Sequence, residues 1–141
     1  MANALYDKAR ERFLTGQLNW LTDDLKVILI DTATYTFASS HEFLSSVDVG
    51  ARITNPTTLV NKTAANGAAD ADNATFAAVS GPTLEALIIY KQVLGVDGVT
   101  PDDSLSVLLA YIDTATGLPI TPNGGDIIVT WDNGVNKIFR L

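Results

Sequence analysis

Apolar residues fall along this chain in short runs that are separated by polar turns. The most continuous run, Leu25–Ile30, is rich in β-branched side chains, which is typical of a strand covered on both faces. Seven further segments have strand-like patterns: residues 51–54, 57–61, 74–79, 85–91, 105–112, 126–131 and 137–141. About eight short strands without intervening helices predict a mainly β fold, an antiparallel β-sandwich of the jelly-roll or immunoglobulin-like type.

Turn signals built from glycine, proline and asparagine lie between these segments. One of them is Asn66-Gly67, and the clearest is the sequence DNG at residues 132–134. The second turn predicts a closing hairpin that lays residues 137–141 against residues 126–131. We therefore expect the C-terminal segment to be a packed strand.

Two segments have less regular patterns. Residues 39–44 are expected to form a loop that leads into a helical turn, with Ser40 as its cap and with Phe43 and Leu44 entering the core. Residues 93–103 carry two glycines, a proline and three acidic residues, which is typical of an exposed loop.

A short α-helix is predicted at the N-terminus, over residues 1–16, ahead of a β-sandwich body over residues 20–141. Asn3 is the predicted N-cap, and Gly16 is the predicted stop. Between them, Leu5, Ala9 and Phe13 form an apolar stripe with a spacing of four residues. A helix of about 12 residues is marginal in isolation. Its stripe should therefore dock on the β body or on a neighbouring subunit.

Three apolar residues are the interface candidates of this N-terminal region: Leu5, Phe13 and Trp20. Each could fold back onto the β body or reach a neighbouring subunit. The short length of the helix and its apolar stripe predict that deletion of residues 2–15 leaves a folded β body and weakens assembly. Global unfolding of the truncated domain would instead show that the stripe packs within the chain.

Composition narrows the class of protein. The 141 residues are 47% hydrophobic and 18% charged, which is typical of a single folded domain, here residues 1–141. The absence of cysteine excludes disulfides and thiolate sites. A formal net charge of −7 disfavours nucleic acid as a partner, because phosphate binding needs clustered Lys and Arg. No apolar run reaches the roughly 18 residues of a membrane helix, and charges fall where a signal peptide would be apolar, so we expect a soluble protein made in a cytoplasm, with no membrane partner.

His41 is the only histidine, so a catalytic triad would have to use it. Its sequence neighbours include Ser39 and Ser40, but no Gly-x-Ser-x-Gly nucleophile turn occurs in the chain. We therefore expect His41 to be a loop histidine that hydrogen-bonds locally or meets a partner. The sixteen acidic residues select no pair of catalytic carboxylates, because Asp at turns ordinarily caps backbone groups.

Metal and cofactor sites are likewise not predicted. Residues 70–73 (DADN) place three oxygen ligands close together, and Asp102-Asp103 add a second acidic group. Neither segment has the glycine or the distal glutamate of a calcium loop, and no glycine-rich phosphate loop occurs. The residues thus predict a protein that is not an enzyme and that has no cofactor, although a loop that binds calcium or a glycan stays open.

Four segments together resemble a family of small tailed-bacteriophage proteins. They are residues 4–16 (ALYDKARERFLTG), 41–44 (HEFL), 82–87 (PTLEAL) and 112–141, which begins IDTATGLPITPNGGD. The resemblance covers nearly the whole chain, although this sequence is longer than the family pattern between Tyr90 and Leu105. Members are usually virion structural proteins, so the resemblance implies a component of a phage particle and supplies no catalytic residues.

The first hypothesis is therefore a capsid decoration, or cement, protein that is located on the virion and assembled in the host cytoplasm. Its partners would be other virion proteins, above all the major capsid protein, and it would self-associate as a homo-oligomer, possibly a trimer. The alternatives are a tail, neck or fibre-associated component and, from a different class, a carbohydrate-binding or hydrolytic adsorption module.

Overall fold

A computed structural model describes residues 3–141 of the chain as one short helix and ten short strands. In chain order the elements are β1 (Ala4–Leu5), α1 (Asp7–Leu14), β2 (Leu25–Ile30), β3 (Thr57–Thr58), β4 (Thr63–Ala65), β5 (Ala68–Asp70), β6 (Ala74–Phe76), β7 (Ala86–Lys91), β8 (Val107–Ile112), β9 (Ile127–Val129) and β10 (Phe139–Arg140). Two 3₁₀ turns, Leu44–Ser46 and Val49–Ala51, lie between β2 and β3. No helix in this range is long and apolar enough to cross a membrane.

The strands form three antiparallel sheets. The largest has the order β1-β8-β7-β2-β3, and the smaller ones are β10-β5-β4 and β6-β9. Nearly every residue of β2, β7 and β8 is buried, so both faces of the central sheet are covered. The predictions of a mainly β fold with one short helix and of a doubly covered strand at Leu25–Ile30 are confirmed.

Other strand predictions are wrong. Residues 51–54 do not form a strand, because Ala51 is the last residue of the 3₁₀ turn Val49–Ala51. Asp48 caps the start of this turn and accepts a hydrogen bond from the Gly50 amide at 2.7 Å. The hairpin of β4 and β5 was not predicted, although the turn signal at Asn66-Gly67 lies at its tip. Its strands consist mostly of alanine, which lacks the β-branched pattern of a strand.

The predicted closing hairpin is also wrong. β9 pairs with β6, and β10 crosses to β5, where Phe139 lies opposite Ala69. Turn residues fix where a chain reverses, but they do not decide which sheet edge the next strand joins. Here β6 already occupies one edge of β9, and the edge of β5 supplies the hydrogen bonds that β10 needs.

The helix starts later than predicted, and Asn3 does not cap it. Tyr6 occupies the N-cap position, whereas the Asn3 side chain bonds Thr114 at 2.6 Å and accepts from the Asp113 amide at 2.9 Å. The predicted stop is confirmed, because Gly16 has a φ of +75° immediately after the C-cap. The Gln17 amide then bonds the Arg12 carbonyl at 2.8 Å, which completes a Schellman motif.

The apolar stripe of the N-terminal region packs on the same chain. β1 pairs with β8, and Leu5, Tyr6 and Ala9 are buried in the common core. Trp20 is buried as well, and its indole N–H donates to the Asp70 carbonyl at 3.1 Å. The structure therefore favours unfolding, and not a free β body, as the result of deleting residues 2–15.

The two irregular segments differ in outcome. Ser40 is not a cap, because Phe43 occupies the position before the 3₁₀ turn Leu44–Ser46 and no side chain caps that turn. Leu44 is buried as predicted, whereas Phe43 is only half-buried. Residues 93–103 form the predicted loop, in which every residue from 96 to 101 is exposed.

Two leucines of the N-terminal region provide a matched test of this packing. Leu5 is 7% exposed and Leu14 is 88% exposed. Leu5→Ala should lower the free energy of unfolding by about 2–5 kcal/mol because it leaves a cavity, and Leu14→Ala should change it by less than about 0.5 kcal/mol. Urea denaturation followed by circular dichroism measures both values, and equal effects would contradict the packing of β1.

Candidate interaction surface

The only histidine lies at the end of a chain of hydrogen-bonded side chains. His41 Nδ1 is 2.8 Å from the hydroxyl of Tyr35, which is 3.0 Å from the hydroxyl of Tyr6. Burial raises the pKa of Tyr6 and of Tyr35 above the usual value, so both hydroxyls stay protonated. Ser39, which could have been a nucleophile, donates to Asp7 at 2.9 Å. These hydrogen bonds connect the start of α1 to the loop at residues 39–44. His41 therefore forms a local hydrogen bond, as predicted.

The acidic segments make structural bonds. Asp70 accepts from the Ala71 amide at 3.0 Å, Asp72 accepts from Asn61 at 2.6 Å, and Asp103 pairs with Arg52 at 2.6 Å. Within residues 3–141 no group of three or more His, Cys, Asp or Glu side chains is placed to hold a metal ion. These contacts follow the ordinary use of Asp in turns.

The basic side chains divide into two groups. Six of them form ion pairs with nearby acids, and Lys62 donates to the Asp23 carbonyl. Arg10 and Arg140 have no side-chain hydrogen bond or ion pair with any residue of the described chain. Acidic residues outnumber basic ones in this protein, which has a net charge of −7. The two guanidinium groups therefore differ from the other basic side chains in having no acidic partner within residues 3–141.

Both arginines line one shallow depression. Its other lining residues are Phe13, Leu14 and Leu141, and we call these five residues the arginine patch. Leu14 is 88% exposed and Leu141 is 65% exposed. Water-exposed leucines that lie together and are flanked by charged groups are typical of a surface that another molecule covers.

Local structure explains how the patch forms. Arg10, Phe13 and Leu14 are spaced by three and four residues, so they share one side of α1. The ring of Phe13 lies 6.1 Å from that of Phe139 in β10, which brings the end of the helix against the last strand. Arg140 and Leu141 follow Phe139 directly, and they therefore flank the helix end.

The patch adjoins two further depressions. Arg140 also lines a depression with Ala65, Val135 and Lys137, and a further groove with Asn3 and Ala4. Val135 is 75% exposed. One arginine thus stands at the meeting point of three concave surfaces, which is a suitable position for an orienting contact.

The structure separates the three predicted interface residues. Leu5 and Trp20 fold back into the core, and of the three only Phe13 reaches the arginine patch, where it is half-buried. The sequence analysis did not predict Leu14 as an interface residue. A signal was available, because Leu14 lies four residues after Arg10 and outside the stripe of Leu5, Ala9 and Phe13, where an apolar residue is expected to be exposed. Arg140 and Leu141 gave no such signal, because their exposure depends on how β10 pairs.

Comparisons with known proteins add no family to this description. No protein-family model matches the chain, and no curated protein matches it.

The arginines allow a second matched test. Arg52 donates to the Val47 carbonyl at 2.6 Å and 3.0 Å, to the Leu44 carbonyl at 2.8 Å and to Asp103. Arg52→Gln should lower the free energy of unfolding by about 2–3 kcal/mol, because it leaves these acceptors unpaired. The double variant Arg10→Gln, Arg140→Gln should change it by less than about 0.5 kcal/mol. Thermal and urea unfolding measure both, and a large loss in the double variant would show that these arginines have a structural role.

Proposed function

We propose that this protein is a structural component of a tailed-phage virion, most directly a capsid decoration protein that stabilises the head by binding between major capsid subunits. The observation that carries the proposal is the arginine patch, where exposed leucines lie beside two arginines that form no ion pair within residues 3–141. The resemblance of residues 4–16 and 112–141 to virion proteins gives the proposal its setting.

A decoration protein works through buried interface area. Covering apolar surface yields roughly 25 cal/mol per Å², and this gain applies to Leu14 and Leu141, which water now surrounds. The two guanidinium groups would pair with carboxylates on the partner, which fixes the orientation of the contact more than its strength. Such a surface suits a permanent assembly made without a chemical step.

The residues that could have taken part in catalysis support a non-enzymatic function. His41 bonds Tyr35, and Asp70, Asp72 and Asp103 have structural partners. Aromatic platforms for a sugar are also disfavoured, because Trp20 and Trp131 are each 6% exposed. A carbohydrate-binding module is therefore the weaker alternative.

The same proposal includes the finer architecture, a β-sandwich of the jelly-roll or immunoglobulin-like type. Antiparallel pairing throughout and a central sheet that is buried on both faces support it. A tail, neck or fibre-associated protein is the alternative within the particle. The same patch would serve it, so the number of copies per particle decides between the two locations.

Quantitative mass spectrometry of purified phage particles measures that number. A decoration protein should approach the major capsid protein in copy number, because it binds at repeated sites on the shell. A few to dozens of copies would favour the tail, neck or fibre alternative. Absence from the particle would overturn the virion function.

Variants of the patch test whether it makes the contact. In particles grown with the double variant Leu14→Asp, Arg140→Glu, the copy number should fall at least about tenfold, as expected for the loss of a central contact. Val49→Asp is the matched control, because Val49 is 72% exposed and lies outside the patch. Both variants must keep the circular dichroism spectrum of the natural protein, and equal incorporation of the two would exclude the patch.

A further inference from the structure

A second exposed apolar feature lies in the connection between β7 and β8. We call residues 94–101 the valine loop, because Val96 is fully exposed and Val99 is 77% exposed at its tip. Asp97 stands between the two valines and is exposed as well. The tip of the valine loop thus has a negative charge between two apolar residues. The arginine patch has the opposite arrangement, in which apolar residues lie between two positive charges.

Hydrogen bonds within the valine loop hold this tip in one shape. The Gly95 amide donates to the Thr100 carbonyl at 2.8 Å, and the Gly98 amide donates to the Gly95 carbonyl at 3.0 Å. Asp97 accepts from the amides of Val99 and Thr100, both at 2.9 Å, and from the Thr100 hydroxyl at 2.7 Å. An ordered loop loses less conformational entropy on docking than a flexible one.

The charge of Asp97 is also fixed. The hydrogen bonds from Thr100 and Val99 lower the pKa of its carboxyl to about 2. A carboxylate with a lowered pKa stays ionised until the pH falls towards that value. Asp97 is therefore negative at neutral and mildly acidic pH.

The loop and the patch are separate surfaces of one copy. The depression beside the loop is lined by residues 95–97 and 100–103, and it shares no residue with the arginine patch. Within residues 3–141 no hydrogen bond or ion pair joins Asp97 to Arg10 or Arg140. Within a single copy, neither surface covers the exposed apolar and charged groups of the other.

We propose that the valine loop of one copy docks into the arginine patch of the next copy, with Asp97 between Arg10 and Arg140 and with Val96 and Val99 against Leu14 and Leu141. The inference rests on the proposed function in one respect: it identifies the molecule that covers the arginine patch in the assembled particle as a second copy of this chain, so that copies bound between capsid subunits also join one another. Because the two surfaces differ, the contact is head to tail. Such contacts close into a ring or, if the rotation does not close, continue as a filament.

Complementary variants distinguish this arrangement from any other. The loop variant is Val96→Ser, Val99→Ser, and the patch variant is Leu14→Ser, Arg140→Gln. Sedimentation velocity at high micromolar protein concentration should show oligomers of the natural chain and monomers of each variant alone. A mixture of the two variants should give one-to-one dimers and nothing larger, because only one intact loop and one intact patch meet.

Other results overturn the proposal. A natural chain that is monomeric at all concentrations, a loop variant that still forms the natural oligomer, or a mixture that stays monomeric would each do so. Val49→Ser is the control for the loss of an exposed valine, since Val49 is 72% exposed and lies outside both surfaces. It should assemble like the natural chain.

The charge contact has its own test. Asp97→Asn keeps an oxygen acceptor for the loop amides, lets its NH₂ group donate to the Thr100 hydroxyl and removes the negative charge. It should weaken assembly about tenfold, with a smaller effect at high salt. Asp132→Asn is matched, because exposed Asp132 likewise accepts from a backbone amide, that of Gly134, at 3.0 Å. It should have no effect, and equal effects of the two variants would exclude Asp97 as the contact.

The outcomes also separate this inference from the proposed function. A chain that is monomeric in solution but enters particles through its patch would leave the virion function in place and remove the head-to-tail contact. A chain that forms the mixed-variant dimers but is absent from particles would do the opposite.

Discussion

Burial of the central sheet on both faces is the constraint on which the rest of the structure depends. β2, β7 and β8 contain almost no exposed residue, so their backbone N–H and C=O groups must find partners inside the protein. Most of these partners are in neighbouring strands, and a few are in loops, as where the Leu29 amide donates to the Thr54 hydroxyl at 3.0 Å. β7 meets this need by pairing along its full length with β2 and by pairing on its other edge with β8. The remaining elements then have to cover two apolar faces and two edges.

The first and last strands lie close together, because each of them closes the edge of a sheet. β1 closes the edge of β8, which brings α1 onto the sheet, and β10 closes the edge of β5. Phe139 then contacts both Phe13 and Trp20, with ring centres 6.1 Å and 5.2 Å apart. The core therefore takes up Leu5 and Trp20, and the next residues outwards, Leu14 and Leu141, are left at the surface beside two arginines. An interaction surface thus arises at the boundary of the core.

Polar side chains fall into two groups, those that bond within the chain and those that remain at its surface. The tyrosine and histidine chain and the bonds of Arg52 connect loops to the body, where an unpaired polar group would be costly. The arginine patch and the valine loop instead expose leucines and valines to water beside charged groups that form no ion pair within residues 3–141. The proposed function and the proposed head-to-tail contact both assign partners to these groups.

The sequence by itself determined the mainly β class, the doubly covered strand at Leu25–Ile30, the stop at Gly16 and the exposed loop at residues 93–103, because each depends on a local pattern of apolar residues or turn chemistry. It did not determine the pairing of β10, the hairpin of β4 and β5, or which of Leu5, Phe13 and Trp20 remains near the surface. Strand pairing and side-chain exposure depend on which edges and faces other segments have already covered. For the same reason the arginine patch, which joins residues 10–14 to residues 140–141, was decided only by the tertiary structure.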